Sequence, residues 1–163
     1  MTPLQFKVHS TSPDQTQKIA ASLAPVLGPG DTLLLEGPIG AGKSHFARAT
    51  ILALLPQPED IPSPTYTLVQ SYHTGEAEIW HADLYRLGHP HDAHELGLLA
   101  AFDDAICLVE WPDRLGADLP DAALTLAFEP QPSPDARHLT FTWSDARWTP
   151  RMKEVFGDRS ALP

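Results

Sequence analysis

The sequence has a single cysteine, no cluster of lysines and arginines, and no apolar run of membrane-spanning length. The lone thiol, Cys107, cannot close an internal disulfide. Inside the run Ala105-Ile106-Cys107-Leu108-Val109 it reads as a buried, inert group rather than a nucleophile. Without about 20 consecutive apolar residues, no helix is expected to cross a bilayer. The first residues also lack the basic-then-apolar layout of a secretion signal, so a cytoplasmic location with no membrane partner is expected. Basic side chains are scarce, 11 against 21 acidic ones, for a net charge of −10. That balance repels a phosphate backbone and argues against direct, tight nucleic-acid binding.

What remains suits a folded chain. Its 163 residues leave room for one sizeable core, and the prolines and glycines are dispersed rather than gathered in a low-complexity tract. We read one domain over residues 1–163, its motifs within about 10–115, with further strands and a tail over 120–163. Leu4 to His9 alternates apolar and polar residues, as a half-buried strand does. Ser12-Pro13-Asp14 opens a helix with proline in the first turn; Ile19, Leu23, Val26 and Leu27 continue it until Gly28-Pro29-Gly30. Thr32-Leu33-Leu34-Leu35-Glu36 has the continuous apolar character of a strand buried on both faces of a parallel sheet. Lys43 to Leu55 follows at helical spacing, and Pro56 ends it. After a proline-rich stretch over 56–64, Tyr66 to Tyr72 and Glu78 to Asp83 predict a hairpin turning at Gly75-Glu76. His91 to Leu99 predicts a short helix, and Ala105 to Glu110 a second buried strand. Leu124 to Phe128 and His138 to Trp143 predict two more strands, and the residues after Trp148 a short helix or a frayed end.

Between the first buried strand and its helix lies Gly37-Pro38-Ile39-Gly40-Ala41-Gly42-Lys43-Ser44. Gly37, Gly40 and Gly42 let the backbone curl so that N–H groups converge on phosphate oxygens. The helix that starts there adds its positive end. Lys43 reaches the outer phosphates, and Ser44 offers a hydroxyl to magnesium. Strand, glycine loop and helix in that order are the context a phosphate loop requires. Nucleotide contacts are expected from Gly37, Ile39, Gly40, Ala41, Gly42, Lys43, Ser44 and His45. Pro38 has no N–H, which removes one potential donor. The fold expected is α/β: a single P-loop NTPase-like domain with a central mixed, largely parallel sheet flanked by helices.

A magnesium shell also needs a carboxylate, normally at the end of a second buried strand. Glu110 and Asp83 both qualify, and both also read as solvated strand ends. Glu110 closes the more apolar strand, so Ser44 and Glu110 are the preferred metal pair; Mg²⁺ keeps several waters and needs few protein donors. Pro62-Ser63-Pro64-Thr65-Tyr66 by itself is a proline-stiffened turn, although Thr65 stands where switch proteins sense a γ-phosphate or its metal.

Taken in order, the phosphate loop, Ser63-Pro64-Thr65-Tyr66-Thr67-Leu68-Val69, His81-Ala82-Asp83-Leu84-Tyr85-Arg86-Leu87, Glu95-Leu96-Gly97-Leu98 and Val109-Glu110-Trp111-Pro112 resemble the TsaE family. Its members are small bacterial ATPases required to threonylcarbamoylate the adenosine beside the tRNA anticodon. The resemblance covers most of residues 10–115 and is weak after Pro120. It implies binding of ATP or ADP with Mg²⁺, slow hydrolysis alone, and action with a TsaB–TsaD complex, so that tRNA is met only through that complex. It also implies site roles: Ser44 and Glu110 at the metal, Thr65 as the switch residue, Asp83 organising water or the metal shell, Trp111 supporting the pocket and Thr16 near the base. With Lys43, the expected catalytic set is Lys43, Thr65, Asp83 and Glu110. Pro38 and Ile39 depart from the family's usual Asp and Leu, and His45 from a common hydroxyl residue.

Other features carry less. His89, His91 and His94 match no tight metal spacing and read as loop and helix start. His81 is either a satisfied strand histidine or a group acting on a phosphate or on Asp83. Trp80, Trp143 and Trp148 read as packing. Arg86 reads as an internal partner of an acid or a contact for another protein, and no arginine is evident on the phosphates. Two competing functions remain. A nucleotide-type small-molecule kinase needs a lid with several arginines, and residues 87–120 offer only Arg114. A non-catalytic nucleotide-dependent module does not need Lys43, Ser44 and Glu110 together.

Overall fold

Apolar alternation decides which way the central strands face. Leu33 and Leu35 of β2 (Thr32–Glu36) turn to one side of the sheet and Leu34 to the other. In β5 (Ile106–Glu110), Ile106 and Leu108 join the first cluster, and Cys107 and Val109 the second. A strand apolar on both faces needs a layer on each. The computed structural model, which describes residues 3–157, supplies both.

The first side is covered by α1 (Pro13–Leu23), α2 (Lys43–Leu54) and α5 (Trp148–Phe156), through residues such as Ile19, Leu23, Phe46, Ile51, Trp148 and Met152. The second is covered by α3 (Asp92–Glu95), α4 (Leu98–Asp104) and a 3-10 segment over Pro112–Asp118, through Ala93, Leu98, Ala101 and Leu115. Ser12 caps α1 by accepting from the Gln15 N–H (3.1 Å), and Pro13 occupies the first turn, as its missing N–H permits.

The remaining strands are β1 (Leu4–Ser10), β3 (Val69–His73), β4 (Glu78–Asp83), β6 (Leu124–Pro130) and β7 (Arg137–Trp143). All seven form one mixed sheet in the order β1-β7-β6-β2-β5-β4-β3, with β2 in the middle. The four central strands, β6-β2-β5-β4, run parallel. Antiparallel pairs flank them: β7 and β1 on one side, β3 on the other. At the foot of β2 the buried Asp31 carboxylate meets Arg147 (3.2 Å) and Arg151 (2.6 Å), which holds α5 against the sheet.

Three elements differ from the sequence prediction. The first helix, expected to continue through Val26 and Leu27, is α-helical only to Leu23; a 3-10 turn over Ala24–Val26 follows, and Leu27 is extended. The strand expected over 66–72 begins only at Val69, because Leu68 is turned into the left-handed region (φ 68°) with its N–H on Pro64 O at 2.7 Å. The helix expected over 91–99 is two helices, broken by Gly97 at φ 80°. The expected C-terminal helix is α5; residues 158–163 lie outside the described residues.

Candidate nucleotide and metal site

Parallel strands bring their carboxyl ends to one edge, and ligands bind there in open α/β sheets. Here β2, β4 and β5 end together. Register places Asp83 of β4 opposite Glu110 of β5, and Leu35 of β2 opposite Glu110 on its other side. The glycine loop leaves β2 at this edge and runs into α2, which starts at Lys43. Gly40 (φ 80°) and Gly42 (φ 105°) take backbone angles that only glycine adopts without strain. Gly37 is needed for space as well, since a Cβ there would lie 2.8 Å from Phe128 O of β6.

A cavity of about 440 Å³ opens above this edge. Ile39, Gly40, Ala41, Gly42, Lys43, Ser44 and His45 line it from the loop side, and Thr65, Asp83, Glu110 and Trp111 from the facing side. The structure therefore gathers the predicted catalytic and metal residues around one space. Gly37 and Thr16 stand apart. Gly37 lies beneath the loop, packed on β6. Thr16 is buried, shares a hydrogen bond with Ser10 (2.6 Å), and borders a smaller space of about 100 Å³ with Ala41, Gly42, His45 and Arg137.

The polar contacts form two sets. Ser44 Oγ donates to Glu110 Oε1 at 2.7 Å, and His81 Nε2 donates to Glu110 Oε2 at 2.7 Å. Glu110 is only 2% exposed, so both oxygens need such partners. His81 Nδ1 is buried without a partner among the described residues, and bonding to a carboxylate oxygen requires a proton on Nε2. His81 is thus a buried strand histidine bonded to Glu110 rather than to Asp83. In the second set, Thr65 Oγ1 donates to Asp83 Oδ2 (3.3 Å) and shares a hydrogen bond with Ser63 (2.8 Å), while Asp83 Oδ1 accepts from the Tyr85 N–H (3.1 Å). Lys43 Nζ donates to Gly37 O and to Pro38 O (3.2 Å) and lies 3.8 Å from the Trp111 ring centroid. Burial lowers the ammonium's pKa from its ordinary value, opposed by the carboxylates of Glu110, Asp83 and Asp113.

Three contributors were not legible in the sequence. Arg86 borders the cavity, its guanidinium 4.9 Å from the Tyr66 ring, and makes no ion pair among the described residues. An arginine therefore borders the cavity, although none was evident on the phosphates from the sequence. Tyr85 packs on Trp111 with ring centroids 4.9 Å apart. Both belong to the Asp-Leu-Tyr-Arg block, so their signal was their nearness to Asp83. Arg137 reaches Ala41 O (2.8 Å) and Gly40 O (3.1 Å) from β7, and nothing in its local sequence announces that. Of the tryptophans set aside, Trp143 and Trp148 are core, and Trp80 is half-buried and bonded to Glu78.

The chain is similar to known proteins in sequence and in fold. The family model described as "Threonylcarbamoyl adenosine biosynthesis protein TsaE" matches residues 10–139. The chain belongs to the TsaE family. Among its TsaE relatives, the Bacillus subtilis protein is 34% identical over 152 residues, covering 93% of this chain and 94% of that one. The Rickettsia felis protein is 41% identical over 100 residues, covering 61% of this chain and 58% of that one. Both are named tRNA threonylcarbamoyladenosine biosynthesis protein TsaE. The crystal structure of Bacillus subtilis YdiB superimposes with a TM-score of 0.74 at 29% identity, covering 95% of this chain and 96% of that one. The TsaE match continues through β6 and into β7, beyond the motifs quoted above.

Proposed function

We propose that this TsaE-family chain is a Mg²⁺-dependent ATPase that serves tRNA threonylcarbamoyladenosine biosynthesis in the cytoplasm, together with a TsaB–TsaD complex. The observation that carries the reading is the hydrogen bond from Ser44 to Glu110, which sets the hydroxyl after the loop lysine against a buried carboxylate from the neighbouring strand. Hydroxyl and carboxylate oxygens are hard donors that suit Mg²⁺, and two of them leave room for phosphate oxygens and water. Ser44 and Glu110 would hold the ion, with Asp83 beside them. When bound, it offsets charge on the outer phosphates of ATP.

The other residues act by placement. The loop backbone and α2 offer N–H groups to phosphate, and Lys43 adds a positive charge. Thr65, tied to Asp83, would respond to the third phosphate, and Asp83 would orient an attacking water. Trp111 walls the cavity beside Lys43, and Thr16 stands on the flank proposed for the base. Tyr66 is 83% exposed and Ile39 74% exposed, so the Thr65 loop and the loop tip stay open to a protein that would order them. The net charge of −10 supports contact with tRNA through partners rather than directly.

The test is ATP turnover by the chain alone and with a reconstituted TsaB–TsaD complex. Slow turnover that rises with the complex is expected. Unchanged turnover would sink partner activation, and no binding of MgATP would sink the ATPase itself.

A further inference from the structure

Arg137 opens β7 and is 96 residues from the nearer of the loop carbonyls it reaches. Its Nη1 donates to Pro134 O and Ala136 O, both at 2.8 Å, which fixes the guanidinium to its own turn. The remaining donors fork onto the phosphate loop: Nε to Ala41 O at 2.8 Å and Nη2 to Gly40 O at 3.1 Å. No carboxylate forms an ion pair with Arg137 among the described residues, so its charge is spent on these carbonyls.

A trans peptide points its C=O and the following N–H in opposite directions. Holding Gly40 O turns the Ala41 N–H away from Arg137, where it donates to Pro38 O (3.2 Å), the same carbonyl that Lys43 reaches, and so closes the loop's own turn. Holding Ala41 O turns the Gly42 N–H away from Arg137 as well. These two peptides lie between Gly40 and Gly42, whose backbones resist rotation least. A cation on a carbonyl also polarises the peptide and strengthens the donor behind it. Pro38 supplies no N–H, so the donors that remain must be well aimed.

Resting on the nucleotide-binding reading above, we propose that Arg137 is a positioning residue that braces the turn closed by the Ala41 N–H and sets the Gly42 peptide for phosphate. It acts through the loop backbone rather than by touching the nucleotide. The bland alternative is a staple that only joins the β6–β7 hairpin to the loop. A second alternative is a direct contact with the base, because Arg137 also borders the small space beside Thr16 and His45.

The experiment measures binding of MgADP and of magnesium tripolyphosphate to the wild-type chain, Arg137→Ala and Arg137→Lys, with melting temperatures. It is joined to steady-state ATP kinetics. In Arg137→Ala both ligands are expected to weaken by a similar factor, about tenfold. Its KM should rise by more than kcat falls. Arg137→Lys keeps the charge but loses the fork, so it should fall between; it carries the test if the alanine variant does not fold. Wild-type affinities in a variant that merely melts earlier would overturn the proposal in favour of the staple. Loss of MgADP binding alone, with tripolyphosphate unaffected, would overturn it in favour of a base contact. If the wild-type chain binds neither ligand, the nucleotide reading itself fails and this inference falls with it.

Discussion

Glu110 divides its two carboxylate oxygens between partners from different elements, Ser44 of α2 and His81 of β4. That division fixes the rotamer of a buried acid and leaves it facing the loop. Glu110→Gln keeps the shape and removes the charge. Turnover is expected to fall by about 10²–10³, the usual cost of one lost electrostatic stabiliser, with nucleotide affinity much less affected. Lys43→Ala should do the reverse first, weakening triphosphate binding. Fluorescence titration and kcat measured on both variants separate the two effects; full activity in Glu110→Gln would remove it from the metal role. Much of this site was legible residue by residue, because Lys43, Ser44, Asp83 and Glu110 stand at the ends of recognisable runs. The link between His81 and Glu110 was not. It depends on β4 and β5 lying side by side in parallel register, which no spacing along the chain reveals.

At the scale of elements, the loop is shaped by what lies beneath it. Gly37→Ala would drive a Cβ to 2.8 Å from Phe128 O, whereas a Cβ at Gly40 meets nothing within 4 Å among the described residues and suffers only its φ of 80°. Gly37→Ala should therefore lose about 1–3 kcal/mol through overpacking and backbone shift, and Gly40→Ala about 1–2 kcal/mol through its left-handed backbone. Thermal melts of both variants check the order; a more stable Gly37→Ala than Gly40→Ala would contradict the packing account. Element prediction succeeded where periodicity had no rival: β2, α2 and β5 stand where their apolar patterns put them. It failed at 66–68, where the Asp83 N–H donates to Leu68 O at 2.8 Å and the Leu68 N–H to Pro64 O. Those tertiary and turn bonds outweigh an alternating pattern. It failed again at Gly97, whose left-handed backbone splits a run that otherwise reads as one helix.

The whole molecule buries Cys107 completely on the second face of the sheet. Burial pushes its thiol up to about 12 from an ordinary 9.0, with the charge of Asp104 adding to the effect. Below pH 9 folded and unfolded chains both keep the proton, and the thiol adds no pH dependence. Above it only the unfolded chain releases the proton, so stability falls by about 1.4 kcal/mol per pH unit until the folded thiol ionises. Urea midpoints at pH 8 and pH 10 should therefore drop further in the wild-type chain than in Cys107→Ala. Equal drops would show that the thiol is not the group responsible. The α/β class and the place of β2 at the centre were legible from two apolar runs and one glycine loop. The strand order was not, because the sequence does not say that β6 inserts directly beside β2 and carries β7 with it.

That strand order has a consequence for how the chain is made. Both neighbours of β2, β5 and β6, come later in the sequence. Translation at roughly 5–20 residues per second leaves Leu33, Leu34 and Leu35 without a sheet partner for several seconds, until β5 follows about 70 residues behind. Arg137, which grips the loop, and Arg147 and Arg151, which neutralise Asp31 at the foot of the same strand, emerge later still. A nascent chain can thus carry every diagnostic motif and still lack the supports that hold them in place. The glycine loop is made well before the side chains that brace it.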